Sequence, residues 1–268
     1  MKETKSVLKE KLSRRDIILG AGKIAVVGTG IAAVSGGLGL FSEAEAKGGK
    51  TEKWPWPYEK LDPEKTAEIA YNEWYRILCG GAIISSIMGQ LREEVGEPYK
   101  SFPIDAFIFL HGGVAGWGTM CGVPLGSSVV ANMIVGPGVG KTGELMGSEM
   151  ADWYSENAMP IYVPKNPKQT AKIPQSISHS PLCHVSVNKW MKAADKGFWT
   201  PERKDRCARL AASASYHLVE LLNEWKDGKY VSKGKIPAMA YNVTAQHNCT
   251  DCHGSNVPSV NTKGNPAK

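Results

Sequence analysis

Six cysteines are spread unevenly along this chain of 268 residues, and their placement constrains its fold more than any other feature. Two stand in the tail, in His247-Asn248-Cys249-Thr250-Asp251-Cys252-His253. The other four, Cys79, Cys121, Cys183 and Cys207, are separated by 42, 62 and 24 positions. The tail motif is Cys-x-x-Cys-His: two thiols can add to the vinyl groups of one porphyrin, and the adjacent His253 can reach its iron. A thioredoxin-type dithiol would sit at a helix start in a βαβ setting, which is absent here. Zinc would need further nearby ligands, and only His247 is close. The expectation is one covalent haem c per chain, held through Cys249 and Cys252 with His253 as proximal iron ligand.

The sixth iron position has five histidine candidates: His111, His179, His184, His217 and His247. His217 shares a helical stripe with Leu210, Ala214 and Leu221, which reads as core packing. His247 lies too near Cys249 to wrap onto the far face of its own haem. It could reach the haem iron of a partner chain stacked beside the first.

The four dispersed cysteines admit two readings: two disulfides, common in exported proteins, or a four-thiolate iron–sulfur site. None forms a local cluster motif, so spacing does not decide between them. Small neighbours, Gly80-Gly81-Ala82 after Cys79 and Gly122 after Cys121, would let backbone and sulfur approach an inorganic core closely. Each of the four falls on a separate expected helix.

The N-terminus reads as a targeting segment. Ser13-Arg14-Arg15-Asp16-Ile17-Ile18-Leu19 leads into a Gly/Ala/Val/Ile-rich stretch, and Ala44-Glu45-Ala46 fits a small-x-small cleavage site. Paired arginines before a weakly apolar run are the twin-arginine signature, with an ordinary secretory signal or an uncleaved anchor helix as the plainer alternatives. The expectation is a periplasmic protein with no stable membrane insertion after cleavage, since no other segment offers the ~20 apolar residues a span requires. Without residues 1–46 the chain keeps 25 basic and 21 acidic residues. That balance is too weak and too dispersed to argue for nucleic acid.

Between these ends the pattern is helical. Asp62 can cap a helix over 62–96, with Ile69, Trp74, Ile77, Leu78, Ile84 and Met88 at helical spacing. Further helices are expected over 116–135, 142–157, 181–196 and 200–225, the last opened by Thr200-Pro201-Glu202. Residues 158–180 read as a loop or arm. Gly136-Pro137-Gly138-Val139-Gly140-Lys141-Thr142 mimics a phosphate-binding loop, but Val135 stands where that pattern needs glycine, so a helix-connecting turn is expected. The fold class is mainly α: a helical bundle carrying a four-cysteine site, with an irregular C-terminal haem-binding tail. The organisation is a signal at 1–46, a helical four-cysteine domain at 47–225 and a haem segment at 226–268.

The arrangement resembles the split-Soret cytochromes c of sulfate-reducing bacteria. The resemblance rests on Arg14-Arg15, Cys79-Gly80-Gly81-Ala82, Cys121-Gly122, Pro181-Leu182-Cys183-His184-Val185-Ser186-Val187, Arg203-Lys204-Asp205-Arg206-Cys207-Ala208-Arg209-Leu210 and the terminal motif. The body is also similar to the wider C-GCAxxG-C-C group of redox proteins. The resemblance implies a homodimer with stacked haems and bis-histidine ligation shared between chains. It also implies an iron–sulfur centre on Cys79, Cys121, Cys183 and Cys207, for which the [2Fe–2S] type is the expectation. The leading functional reading is periplasmic transfer of single electrons to an unidentified redox partner protein. A redox enzyme acting on a small substrate is the alternative. A third reading, a haem-bearing sensor or assembly factor, would leave the body cysteines as structural disulfides.

Overall fold

The computed structural model describes residues 54–136, 138 and 141–234. The targeting segment and the tail motif, with His247, Cys249, Cys252 and His253, lie outside the described residues. Among the described residues there are five α-helices: α1 (Pro63–Glu94), α2 (Gly122–Val135), α3 (Thr142–Glu156), α4 (Cys183–Ala194) and α5 (Pro201–Lys226). A 3-10 turn covers Ile104–Phe109. Among the described residues there is no strand, only isolated bridges pairing Met120 with Leu182 and Met159 with Ser176. The mainly helical expectation holds. No helix among the described residues is long and apolar enough to cross a membrane.

Two helix starts follow directly from local chemistry. The Asp62 carboxylate accepts from the Lys65 amide at 2.7 Å, with Pro63 in the first turn. The Thr200 hydroxyl accepts from the Arg203 amide at 3.4 Å, with Pro201 following. Each satisfies an amide that the helix itself cannot.

A third start differs from the sequence reading. The helix expected from residue 116 begins only after Cys121. Gly112, Gly113, Gly116 and Gly118 all have positive φ, as do Val114 and Ala115. Residues 110–119 therefore coil back through successive turns, tied by Gly118 N to Gly112 O at 2.8 Å and Thr119 N to Gly113 O at 3.1 Å. The small-residue spacing that imitates a helix here serves left-handed turns.

The main helix pair is α1 with α5. From Asp205 to Ser215 every residue of α5 is buried, and its alanines at 208, 211, 212 and 214 keep that stretch thin. Ser86 on α1 meets Ser215 on α5 at 3.2 Å. Asp205 is wholly buried but satisfied, accepting from Tyr71, from Tyr75 at 2.9 Å and from Arg209 Nε at 2.6 Å. Helix α2 packs on α1 and α3 on α2, burying Val130, Ala131, Ile134, Met146 and Met150. The arm at 158–180 straps across this pair: Ile161 and Tyr162 amides donate to Ser213 Oγ, and Lys168 N donates to Tyr71 Oη. The glycine-rich stretch after Val135 joins α2 to α3, with Pro137, Val139 and Gly140 outside the described residues.

Candidate metal centre

Helix α1 is two helical pieces joined at Leu78, whose φ of 62° and ψ of −167° are far from helical. A leucine at positive φ is a strained choice, and such residues collect at functional sites. The break frees the Gly80 amide from its own helix, and it donates to Leu110 O at 2.8 Å. Cys79 thus opens the second piece. Cys121 is the residue capping the start of α2, Cys183 is the first residue of α4, and Cys207 lies in the second turn of α5. Three of the four thiols therefore sit at helix beginnings, where unpaired amides and the helix dipole favour negative charge.

Backbone pairing fixes these starts to one another. Cys121 N donates to Pro181 O at 2.8 Å, Cys183 N to Thr119 O at 2.7 Å and His184 N to Gly118 O at 3.2 Å. Glycines bring α1 onto α2: a Cβ on Gly80 would stand 2.5 Å from Gly122 O, and one on Gly126 would stand 2.7 Å from the Gly80 Cα. No residue but glycine permits that approach.

All four body cysteines are free thiols in this fold. Cys79, Cys121 and Cys207 are buried, and Cys183 is half-buried. The Cys121 thiol lies against that of Cys183, and Cys79 faces both Cys121 and Cys207. Burial, with the neighbouring thiols of Cys121 and Cys207, pushes the Cys79 thiol up to about 12. Hydrogen bonding with Cys183, followed by burial, holds Cys121 well above an ordinary thiol. Left to themselves these groups stay protonated; a bound cation reverses that balance by stabilising thiolate. Among the described residues no three of His, Cys, Asp and Glu converge on a single ion.

The surroundings carry a second signal. Four buried side-chain nitrogen or oxygen atoms have no hydrogen-bond partner among the described residues, and three of them border the thiols: Trp74 Nε1, Tyr154 Oη and Arg206 Nε. Trp74 lies beside Cys79 and Tyr154 beside Cys121. Arg206 Nη1 is 3.8 Å from Cys207 Sγ, and Nη2 donates to Ser186 Oγ at 2.7 Å. Unpaired buried donors are costly, of order 1–3 kcal/mol each. Trp74 and Tyr154 already lie against thiol sulfur, and an anionic, acceptor-rich group on those sulfurs would strengthen contacts that the neutral thiols make weakly. A sulfur-ligated iron centre would meet that demand.

From this site a cavity of about 750 Å³ opens outward. Cys79 and Cys183 reach it, with His111 and His184, and aromatic walls come from Trp74, Tyr75, Phe198 and Trp199. Trp199 is 81 % exposed and Trp117, on the adjoining loop, 83 %. His184 Nδ1–H donates to Gly118 O at 2.8 Å, which leaves Nε2 of the neutral ring as an acceptor. The other expected candidates lie elsewhere. His179 is half-buried beside Glu156 at 3.1 Å. His217 stacks on Trp153 with ring centroids 4.5 Å apart and lines a separate cavity, so its packing role holds at the edge of the core. Trp74, Tyr154 and Arg206 are site residues that the sequence reading missed. Only Arg206, adjacent to Cys207, carried any signal in the sequence.

The family model described as "Putative redox-active protein (C_GCAxxG_C_C)" matches residues 84–221. A split-Soret cytochrome c from Desulfovibrio desulfuricans is 32 % identical over 264 residues, covering 96 % of this chain and 90 % of that protein. A solved structure presented as a novel iron centre in the split-Soret cytochrome c from Desulfovibrio desulfuricans ATCC 27774 aligns with a TM-score of 0.63 at 29 % identity. It covers 76 % of this chain and 87 % of that one.

Proposed function

The chain belongs to the split-Soret cytochrome c family, within the C-GCAxxG-C-C group of redox proteins, and from that premise we propose that it is a periplasmic carrier of single electrons. In this reading Cys249 and Cys252 hold one haem c per chain, with His253 on the iron. Cys79, Cys121, Cys183 and Cys207 hold an iron–sulfur centre of the [2Fe–2S] type. The observation that carries it is four free thiols bordered by three buried donor atoms, Trp74 Nε1, Tyr154 Oη and Arg206 Nε, that lack a well-formed hydrogen bond among the described residues. One-electron exchange is the chemistry that an iron–sulfur centre and a haem supply when bound. The chain's own part is to hold the thiols at three helix starts, exclude water with the α1–α5 core and donate to sulfur.

The export route is part of the same reading. Twin-arginine substrates cross the membrane folded, whereas haem c is attached outside it. A centre built into the helical body and a haem on a terminal segment satisfy both demands. A homodimer with His247 of one chain on the haem iron of the other completes the reading, since a short polar tail buries little apolar area alone. His247→Ala tests this by EPR and sedimentation: loss of the low-spin haem signal with a weaker dimer is expected. An unchanged spectrum would transfer the role to another histidine, with His184 first because its Nδ1–H is already tied to a carbonyl.

The decisive measurement is iron, acid-labile sulfide and covalent haem per chain in periplasmically matured protein, followed by an EPR-monitored redox titration. More than one iron per chain, with sulfide present, is expected. Cys249→Ala combined with Cys252→Ala should abolish covalent haem and keep the remaining iron. One iron per chain with two disulfides would refute the reading. The second reading, a redox enzyme, has the cavity at Cys79 and Cys183 in its favour. A fully low-spin, two-histidine haem with no ligand-induced change at the iron–sulfur centre would dismiss it.

A further inference from the structure

Arg206 presents an electrostatic problem that the protein part alone does not solve. It is 2 % exposed, on the face of α5 next to Cys207. Among the described residues it has no carboxylate partner: the adjacent Asp205 is committed to Arg209, Tyr71 and Tyr75. Among the described residues its side chain bonds to Ser186 Oγ and the Cys207 sulfur, and its Nε has no partner. The guanidinium lies against Cys207 and close to Tyr154, which itself borders Cys121, so its surroundings belong to the cysteine site.

We propose that Arg206 is the charge-compensating residue of that site, a positioning residue that offsets the negative charge of the thiolate-ligated centre and sets how readily it accepts an electron. The inference rests on the function proposed above. With both groups bound, the electron lost by one centre would be gained by the other, and Arg206 would supply positive charge at the cysteine site so that no proton need be taken up there. A buried guanidinium with one donor on the Cys207 sulfur and another anchored on Ser186 is fixed before the electron arrives, so it stabilises the reduced state without reorganisation. An unpaired buried charge is a liability when nothing anionic faces it. The same side chain should therefore act in opposite directions on the metal-free and the iron-loaded protein.

That reversal is the test. Arg206→Met removes the charge at similar length, and Arg206→Lys keeps the charge but loses the planar fork. In the metal-free protein, Arg206→Met should melt at the same temperature as the wild type or higher. In the iron-loaded protein it should melt lower. It should also shift the one-electron equilibrium of the non-haem centre at least about tenfold toward the oxidised form, a midpoint lower by about 59 mV or more. Arg206→Lys should recover most of that shift, and the haem midpoint should stay in place. An equal loss of stability in both forms would make Arg206 an ordinary structural residue and overturn the proposal. An unchanged midpoint would overturn it too. Absence of non-haem iron from the wild type would bring down the function proposal and this inference together. Wild-type iron with an unaltered Arg206→Met would bring down only this inference.

Discussion

Gly122→Ala should damage this protein more than its size suggests, and Gly89→Ala should improve it. A Cβ on Gly122 would enter the Leu110 carbonyl group and stand 3.0 Å from the Cys79 Cβ. The first obstacle is backbone, so rotamer changes cannot relieve it. Forcing an extra carbon into such a site costs about 1–3 kcal/mol. Displacing Leu110 O also loosens its 2.8 Å bond from Gly80 N, worth about 1 kcal/mol. The sum is about 2–4 kcal/mol, or about 5–15 °C in melting temperature for a chain of this size. Gly89 lies in the same helix, α1, with nothing within 4 Å of an added Cβ. There alanine should gain about 0.5–1 kcal/mol from helix propensity. Circular dichroism melts of both variants in the metal-free state give the comparison directly. A Gly122→Ala midpoint within about 1 °C of the wild type would refute the argument that these backbones must touch.

Three other outcomes follow from the same contacts. Cys207→Ser should remove the non-haem iron measured by chemical assay while the covalent haem measured by mass stays, since the tail motif is a separate stretch of sequence. Asp205→Ala strips the buried Arg209 and two tyrosine hydroxyls of their shared acceptor, and urea denaturation should show a loss of about 3–5 kcal/mol; a loss below about 1 kcal/mol would mean that water replaces the carboxylate. In the metal-free protein the Cys79 thiol, pushed up to about 12 by burial, keeps its proton after the unfolded chain has lost its own near about 8.5. The folded state then binds more protons, so stability should fall as pH rises through that interval, and a flat or rising profile in urea titrations at pH 8–10 would contradict the burial of Cys79.

The helical class was legible because two helix starts carry complete local instructions, Asp62-Pro63 and Thr200-Pro201, whose capping bonds form as the residues suggest. The glycines after Cys79 and Cys121 were legible as a licence for close approach, and Gly80, Gly122 and Gly126 use it. The stretch at 116–121 misled because small-residue spacing does not distinguish a helix face from a run of left-handed turns. The break at Leu78 carried no signal at all. Nothing in Ile77-Leu78-Cys79 disfavours a helix, and the kink exists because Gly80 N finds a better acceptor in Leu110, thirty residues on. Trp74 and Tyr154 were invisible for a related reason: as residues of amphipathic helices they look like core, and only the fold shows that their polar ends lack partners.

These irregularities share a location, and that carries more weight than any one of them. Leu78 at positive φ, the turns at 112–118, the unpaired Trp74, Tyr154 and Arg206 donors and the raised Cys79 and Cys121 thiols all gather around the beginnings of three helices. Elsewhere the local rules agree with one another: Asp205 is buried but fully bonded, and both long helices are capped. A chain in which most such irregularities fall in one place has concentrated its strain there. Folding alone gives little return on that cost, because the buried thiols stay neutral and are weak acceptors for the donors around them. Binding an anionic, sulfur-rich centre would satisfy the donors, ionise the thiols and neutralise Arg206 in a single event. The stability of the helical body should therefore depend on the centre it holds. Chelation at constant pH should lower its melting temperature, and should do so less in Arg206→Met, where one of the strained terms is already gone.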